Sequence, residues 1–305
     1  MSNAIITTLG KLAIGTGGSA VSQRIDFASF ETGIGEQVLD GNRNRGKLDR
    51  HFSRVRTVRK TVEPRLSMPS PTAFELAQVL QWITGGTPTG SGTVTYPFAN
   101  GIVEKSIAYN DMQSSPIVHT YANVAVRTAE FTSSDGDPSL SLNLGLIGRN
   151  YTTADAWPSL SPDQVDITTS PFVHTDTDNA VVVNSTTIPT RSISIEIENM
   201  IPDRHLNSLF QTYNVKVDRQ YRLNLAFPLG EAPALYTSGP DGVACSVTYT
   251  NGSTALTFTF AKVQFPRTPI QVALRDEIYH QLSGTCYEST DGNTAPLIIT
   301  LDSTP

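Results

Sequence analysis

Apolar and polar residues alternate with a period of two along most of this chain. In 139–146 every second residue is leucine, and in 192–198 every second residue is isoleucine. The same alternation recurs in 123–127, 221–227 and 256–260. Successive side chains of a strand point to opposite faces, so each of these strands has one apolar and one polar face. The pattern predicts a mainly β protein, a β-sandwich of two sheets packed face to face.

One stretch has helical spacing instead. Thr72 and Glu75 are spaced as a capping box, apolar residues dominate 73–83, and Gly85-Gly86 supplies a stop. The pattern predicts one α-helix at about 72–84, flanking the sandwich. Its apolar arc is wide, so we expect a sheet on one side and a second sheet or a neighbouring subunit on another. Two residues of this helix are therefore candidate subunit contacts, Phe74 and Trp82.

The pattern divides the chain into four segments. Residues 1–42 are rich in glycine, serine and threonine with weak periodicity, which predicts a flexible N-terminal arm. Residues 151–185 have little pattern and several Xaa-Pro pairs, which predicts a linker. The first sandwich half with the helix is then 43–150, and the second half is 186–305. A weaker helical pattern at 202–209 leaves a diverged duplication of the fold open.

Charge is sparse and unevenly distributed. Charged residues make up 16% of the 305 residues, against about 25% in a typical soluble domain, and the net charge is −6. Residues 43–60 carry eight basic residues and one acid, a charge of +7, so the rest of the chain sums to −13. This segment is either a solvated charged hairpin or a contact that reaches an acidic patch on another copy. The basic residues are Arg43, Arg45, Lys47, Arg50, Arg54, Arg56, Arg59 and Lys60.

No group of residues predicts catalysis. The glycine pattern at 15–20 fits a dinucleotide-binding loop, but no amphipathic helix follows it. The five histidines are scattered, without metal-ligand spacing. Cys245 and Cys286 are too few for a disulfide framework and fit two core thiols, with pairing left open. We therefore expect no enzyme, no cofactor and no metal, and the lack of a long apolar run predicts no membrane partner.

The order of these elements resembles that of the major tail tube proteins of long-tailed (siphovirus-like) bacteriophages. The resemblance covers about residues 45–305 and depends on order and pattern, without an invariant signature. The segments that carry it are 65–71 (RLSMPSP), 73–83 (AFELAQVLQWI), 117–127 (IVHTYANVAVR), 139–148 (SLSLNLGLIG), 191–199 (RSISIEIEN) and 297–301 (LIITL).

The resemblance implies a tail-tube fold whose copies form rings that stack into a hollow tube for genome passage. The rings would be hexameric, or trimeric if the fold is duplicated. Implied partners are copies of the same chain, the tail tip or baseplate, the tape measure protein and the tail terminator, with DNA passing transiently and without sequence preference. The subunit would belong to the virion tail, assembled in the host bacterial cytoplasm. In this setting the basic segment belongs at a subunit contact, and Glu196 and Glu198 are candidates for a lumen that repels DNA.

Two other classes of protein share this composition. Another virion structural protein, such as a capsid, decoration or tail-terminator subunit, would form shells, single rings or spikes. A carbohydrate-binding or adhesive β-sandwich would remain monomeric, and clustered exposed aromatic residues would favour it.

Overall fold

The computed structural model describes residues 11–16, 21–40, 55–110, 117–160, 170–175, 180–228, 242–252, 254–266, 279–289, 292 and 294–302. Within these ranges the chain forms eighteen strands and one helix. In chain order they are β1 (Lys11–Thr16), β2 (Val21–Ile25), β3 (Ser29–Glu31), β4 (Ile34–Asp40), β5 (Val55–Val62), β6 (Arg65–Pro69), α1 (Ala73–Thr84), β7 (Thr93–Tyr96), β8 (Lys105–Asn110), β9 (Val118–Ser134), β10 (Asp137–Ala154), β11 (Val181–Val183), β12 (Thr186–Thr187), β13 (Ser192–Met200), β14 (Asp218–Pro228), β15 (Val243–Thr250), β16 (Ala255–Gln264), β17 (Tyr279–Tyr287) and β18 (Leu297–Asp302).

Of the eighteen described strands, sixteen belong to one continuous antiparallel sheet, most of which folds into two facing layers, while β4 and β5 form a small sheet of their own. The first layer has the order β3-β6-β10-β9-β13-β14-β17, and the second layer consists of β12, β11, β15, β16, β18 and β7. The layers join where the end of β16 pairs with the end of β17. Across the core, the rings of Phe131 on β9 and Phe258 on β16 lie 4.9 Å apart. The predicted mainly β sandwich with one flanking helix is confirmed.

The helix begins and ends where its sequence indicates. The side chain of Thr72 accepts a hydrogen bond from the backbone N–H of Glu75, and Gly85 ends the helix in the left-handed conformation at φ +76°. Glu75 is buried, and its carboxylate accepts hydrogen bonds from the N–H groups of Asp26 at 2.6 Å and Thr72 at 2.9 Å. Burial raises the pKa of this carboxyl. The capping residue therefore also attaches the helix to the segment before β3.

The described residues within 1–42 do not form the flexible arm that the sequence predicted. Residues 11–16 and 21–40 form four strands, and β1 pairs with β2 on one side and β8 on the other. Leu12, Ala13 and Ile14 are almost completely buried. The short apolar run of β1 is thus an internal strand, which weak periodicity on its own could not indicate.

The two predicted halves share one core. Strand β13, after the predicted linker, pairs with β9, and β18 at the end of the chain pairs with β7. The predicted linker also takes part in the pairing, because Val173 forms isolated β-bridges with Ser139 on one side and with Thr250 on the other. Together the two bridges connect β10 to β15, so the paired strands of the two layers form a closed circuit. The neighbouring Phe172 is fully buried inside this closed circuit of strands.

The weak helical pattern at 202–209 forms bends within an irregular connection, 201–217, between β13 and β14. Asp203 is engaged by Arg59 and by His205, and Asn207 has a left-handed φ of +54°. These local interactions compete with helical hydrogen bonding.

Both cysteines are buried free thiols, on β15 and β17. These strands both pair with β16, and burial raises the pKa of Cys245 and of Cys286 to about 12. In the described ranges there is no cluster of potential metal ligands, and no helix there is long and apolar enough to span a membrane.

His174, which follows the bridging residue Val173, makes the stability of the fold depend on pH. His174 is buried, its Nδ1 lies 3.2 Å from the carbonyl oxygen of Pro138, and its ring contacts Tyr249 edge-on. Desolvation lowers its pKa below the usual 6.5, although the charge of Asp135 opposes this. The unfolded chain therefore binds the proton first, and stability falls as the pH drops below about 6.5.

We expect His174→Gln, which stays neutral, to remove this part of the acid sensitivity. Denaturant midpoints at pH 7.5 and pH 5.5 should differ less in the variant than in the original chain. Equal pH dependence of the two proteins would contradict the assignment.

Candidate assembly surfaces

The described part of the basic segment belongs to a hairpin, β4 and β5, that forms a small sheet of its own and packs on the core through Val62. Strands β4 and β5 pair only with each other among the described strands. Arg56, Arg59 and Lys60 lie on β5. The other five predicted contact residues lie outside the described residues: Arg43, Arg45, Lys47, Arg50 and Arg54.

The connection 201–217 braces the base of this hairpin. Arg59 forms a salt bridge with Asp203, and the backbone N–H of Lys60 donates to the carbonyl oxygen of Leu209 at 2.7 Å. The ammonium of Lys60 lies 2.7 Å from Glu36 and 5.8 Å from the centre of the Phe210 ring. Two of the three described basic residues are thus paired within the chain.

Arg56 differs from its two neighbours. Its side chain is exposed, and no described residue forms an ion pair with it. Of the three described basic residues of β5, Arg56 is therefore the one without an ionic partner within the described ranges.

Exposed aliphatic residues surround the braced hairpin. On the hairpin, Val38 is 51% exposed and Val58 is 40% exposed. On the connection, Leu206 is 58% exposed and Leu209 is 45% exposed. Val58 is the extra residue of a β-bulge, because Arg59 pairs with Gln37 while Thr57 pairs with Val38. Grouped apolar exposure next to an exposed arginine is typical of a surface that contacts another protein.

The outer face of the first layer is polar across all seven strands. The strand registers align one residue from each strand in a row that includes Glu196, and a neighbouring row includes Glu198. The rows contain serine, threonine, asparagine, glutamine, glutamate and arginine, with one glycine. The first row is Ser29, Ser67, Asn143, Glu130, Glu196, Arg222 and Thr285, and the second is Glu31, Arg65, Gly145, Thr128, Glu198 and Gln220.

This polar face has a net negative charge. The two rows hold four carboxylates and two guanidinium groups. Glu130 and Glu196 are directly opposite each other, an arrangement that like charges disfavour. Hydrogen bonds offset the repulsion, because Asn224 donates to Glu196 at 2.8 Å and Ser194 donates to Glu130 at 3.4 Å. Arg222 lies 3.7 Å from Glu196.

The polar face is also concave. A groove of about 570 Å³ contains Glu130, Glu196 and Glu198, and a groove of about 650 Å³ continues along the serine-rich end of the same strands. Glu196 and Glu198 thus lie on one curved surface, as a lumen lining would require. Glu130 belongs to the same group, but the sequence did not single it out because its position depends on the pairing of β9 with β13.

The two candidate subunit contacts on the helix, Phe74 and Trp82, differ in their exposure to solvent. Phe74 is 56% exposed at the start of α1 and remains available to a neighbour. Trp82 is 2% exposed, and its indole N–H donates to the carbonyl oxygen of Val124 at 2.9 Å. The structure therefore places Trp82 in the core of the subunit and not at a subunit contact, since the helix turns this side chain onto β9.

Neither a scan against protein-family models nor a search of curated protein sequences finds a match for this chain. A functional assignment must therefore depend on the surfaces described above and on the resemblance of the sequence pattern.

Proposed function

We propose that this chain is a structural subunit of a bacteriophage tail tube, which self-assembles into stacked rings around a channel for the genome. The observation that carries the proposal is the concave polar face of the first layer, with its four carboxylates against two guanidinium groups. The order of sequence elements points to the same class of protein. The subunit would act in the virion and without chemistry.

A channel for DNA must not bind it. Nucleic-acid binding depends on neutralising phosphates with lysine and arginine and on stacking bases against aromatic rings. The two rows of the polar face contain no aromatic residue, and their net charge is negative. Serine, threonine and asparagine keep such a wall hydrated. These properties suit the lining of a passage.

The hairpin suits a contact between unlike surfaces. Two identical basic hairpins would repel each other, so a contact between them across a twofold axis is unfavourable. A hairpin that meets an acidic surface of the next copy makes a heterologous contact, and such contacts generate rings or open polymers. The exposed Val58 and Leu206 would add apolar area to that contact.

Electron microscopy of the purified chain at high concentration tests the proposal directly. Hollow filaments of constant diameter support it. Closed shells, single rings or spikes would favour another virion structural protein, and persistent monomers would favour an adhesive or carbohydrate-binding sandwich.

Reversing charge on the hairpin should prevent assembly without unfolding the subunit. We expect Arg54→Glu with Arg56→Glu to give folded monomers, because the basic contact is lost while the core is untouched. The matched control makes the same charge change on the polar face, with Arg65→Glu and Arg222→Glu, and should still form filaments. Circular dichroism reports folding, and sedimentation with microscopy reports assembly.

Normal filaments from the hairpin variant would refute the contact assignment. If the hairpin arginines instead faced the channel, filaments would form normally and genome ejection would change.

A further inference from the structure

Two asparagines of this chain are followed by glycine, and the structure restrains one of them but not the other. Asn251-Gly252 forms the turn between β15 and β16, where the side-chain oxygen of Asn251 accepts hydrogen bonds from the backbone N–H of Thr254, at 3.0 Å, and from its hydroxyl. Asn100-Gly101 lies between β7 and β8 and is exposed. Among the described residues, none forms a hydrogen bond with the Asn100 carboxamide or with the backbone N–H of Gly101.

A cation holds the backbone on both sides of Asn100. The Nζ of Lys216 donates to the carbonyl oxygens of Ala99 at 2.5 Å and of Gly101 at 3.3 Å. The carbonyl oxygen of Ala99 also accepts from the guanidinium of Arg219 at 3.1 Å. No carboxylate in the described ranges forms an ion pair with Lys216. The ammonium therefore lies against the two residues whose side chain and backbone nitrogen can react with each other.

This arrangement favours a reaction in which negative charge develops. The backbone nitrogen that follows an asparagine can attack the side-chain carbonyl carbon, and the attacking peptide nitrogen and the tetrahedral intermediate are both anionic. A positive charge held nearby lowers the barrier to such a step. Glycine permits the close approach because it has no Cβ. A Cβ at Gly101 would meet no atom within 4 Å, so neighbouring residues leave this backbone accessible.

We propose that Asn100 is a site of spontaneous deamidation, promoted by the ammonium of Lys216, with water as the co-reactant. The nitrogen of Gly101 gives its proton to water and forms a bond to Cγ of Asn100, which closes a succinimide ring. The bond from Cγ to Nδ2 breaks, and Nδ2 takes up a proton and leaves as ammonia with the bonding electron pair. Water then opens the ring at either carbonyl carbon and yields aspartate or isoaspartate. The inference does not depend on the proposed function.

The groove around Asn100 suits both the water and the product. It has a volume of about 500 Å³ and contains both Asn100 and Lys216. Glu104 also lines the groove, but it is engaged by Arg149 and by Asn214. A carboxylate at position 100 would therefore give Lys216 the ionic partner that the described residues do not supply.

The test is the rate of deamidation of each asparagine in the folded chain at pH 7.5, measured by peptide mass spectrometry. Asn100 should react at least about tenfold faster than Asn251, which must first break its hydrogen bonds with Thr254. Lys216→Met should slow the reaction of Asn100 about threefold, and Lys216→Arg, which keeps the charge, should retain the rate. Added salt should slow the original chain more than Lys216→Met.

Gly101→Ala is the matched control on the attacking residue. It should fold normally, because the added Cβ meets no atom within 4 Å, and should slow the reaction of Asn100 about tenfold while that of Asn251 stays unchanged. Equal rates for the two asparagines in the original chain would overturn the proposed site. An Asn100 rate that neither salt nor Lys216→Met lowers would overturn the role of Lys216. The salt dependence needs no variant, so this role is testable even if Lys216→Met fails to fold.

Discussion

Truncating Trp82 to alanine is expected to lower the free energy of unfolding by about 3–5 kcal/mol. The side chain is almost completely buried between α1 and β9, so its removal leaves a cavity that a β-sandwich cannot easily close. The carbonyl oxygen of Val124 also loses the indole N–H that it accepts from. Denaturant unfolding of the monomer, followed by tryptophan-independent far-ultraviolet circular dichroism, measures the loss.

Phe74 provides the matched control on the same helix. Phe74→Ala removes an aromatic ring of similar size from an exposed position, so we expect stability to change by no more than about 0.5 kcal/mol. If Phe74 contacts a neighbouring subunit, this variant should lose assembly while the monomer stays folded. Equal stability losses for the two variants would contradict the different burial of these side chains.

Replacing Arg219 by alanine is expected to lower the free energy of unfolding by about 1–3 kcal/mol, mainly through lost hydrogen bonds to a half-buried cation. Its guanidinium donates to the carbonyl oxygens of Thr84 and Ala99 at 3.1 Å each and to the Asn199 side chain at 2.7 Å. Thr84 is the last residue of α1, so the cation also lies where the helix dipole favours positive charge. The same guanidinium lies 4.6 Å from the centre of the Phe98 ring.

Arg222 is the control for this prediction. It lies on the same strand and forms one 3.7 Å ion pair with Glu196 on the exposed polar face. Surface pairs contribute about 0–1 kcal/mol, so Arg222→Ala should leave the unfolding midpoint nearly unchanged. A similar cost for both arginines would show that the carbonyl oxygens of Thr84 and Ala99 find other donors, which would contradict the assigned role.

Local periodicity was sufficient to predict much of the fold. The isoleucines of β13 and the leucines of β10 are buried as their alternation indicates. The helix follows from Thr72, Glu75 and Gly85, since capping residues act within a few positions of the helix end. These features depend on neighbours in sequence, and a sequence contains that information directly.

Pairings between distant residues were not predictable. Glu130 joins Glu196 only through the register of β9 with β13, and Asp203 meets Arg59 only because a long connection returns to the hairpin. Val173 carries no local sign of its role between Ser139 and Thr250. The polar face and the contact between the connection 201–217 and the hairpin could therefore be found only in three dimensions. The alternation in the sequence nevertheless assigned Glu196 and Glu198 correctly to the polar face of their strand.

The two β-bridges of Val173 have a consequence for the order in which strands can pair while the chain is being synthesised. They join Ser139 to Thr250, which are separated by 111 residues, and β18 must still return to β7 after that. A chain emerging from the ribosome can form β9, β10 and α1 early, but the closed circuit of strands cannot form until β17 has also been made. Pairings of such long range form slowly, and unpaired strands are prone to aggregate in the interval. Newly made chains would therefore pass through a period of exposed strand edges, during which a chaperone that covers those edges would raise the yield of folded subunits.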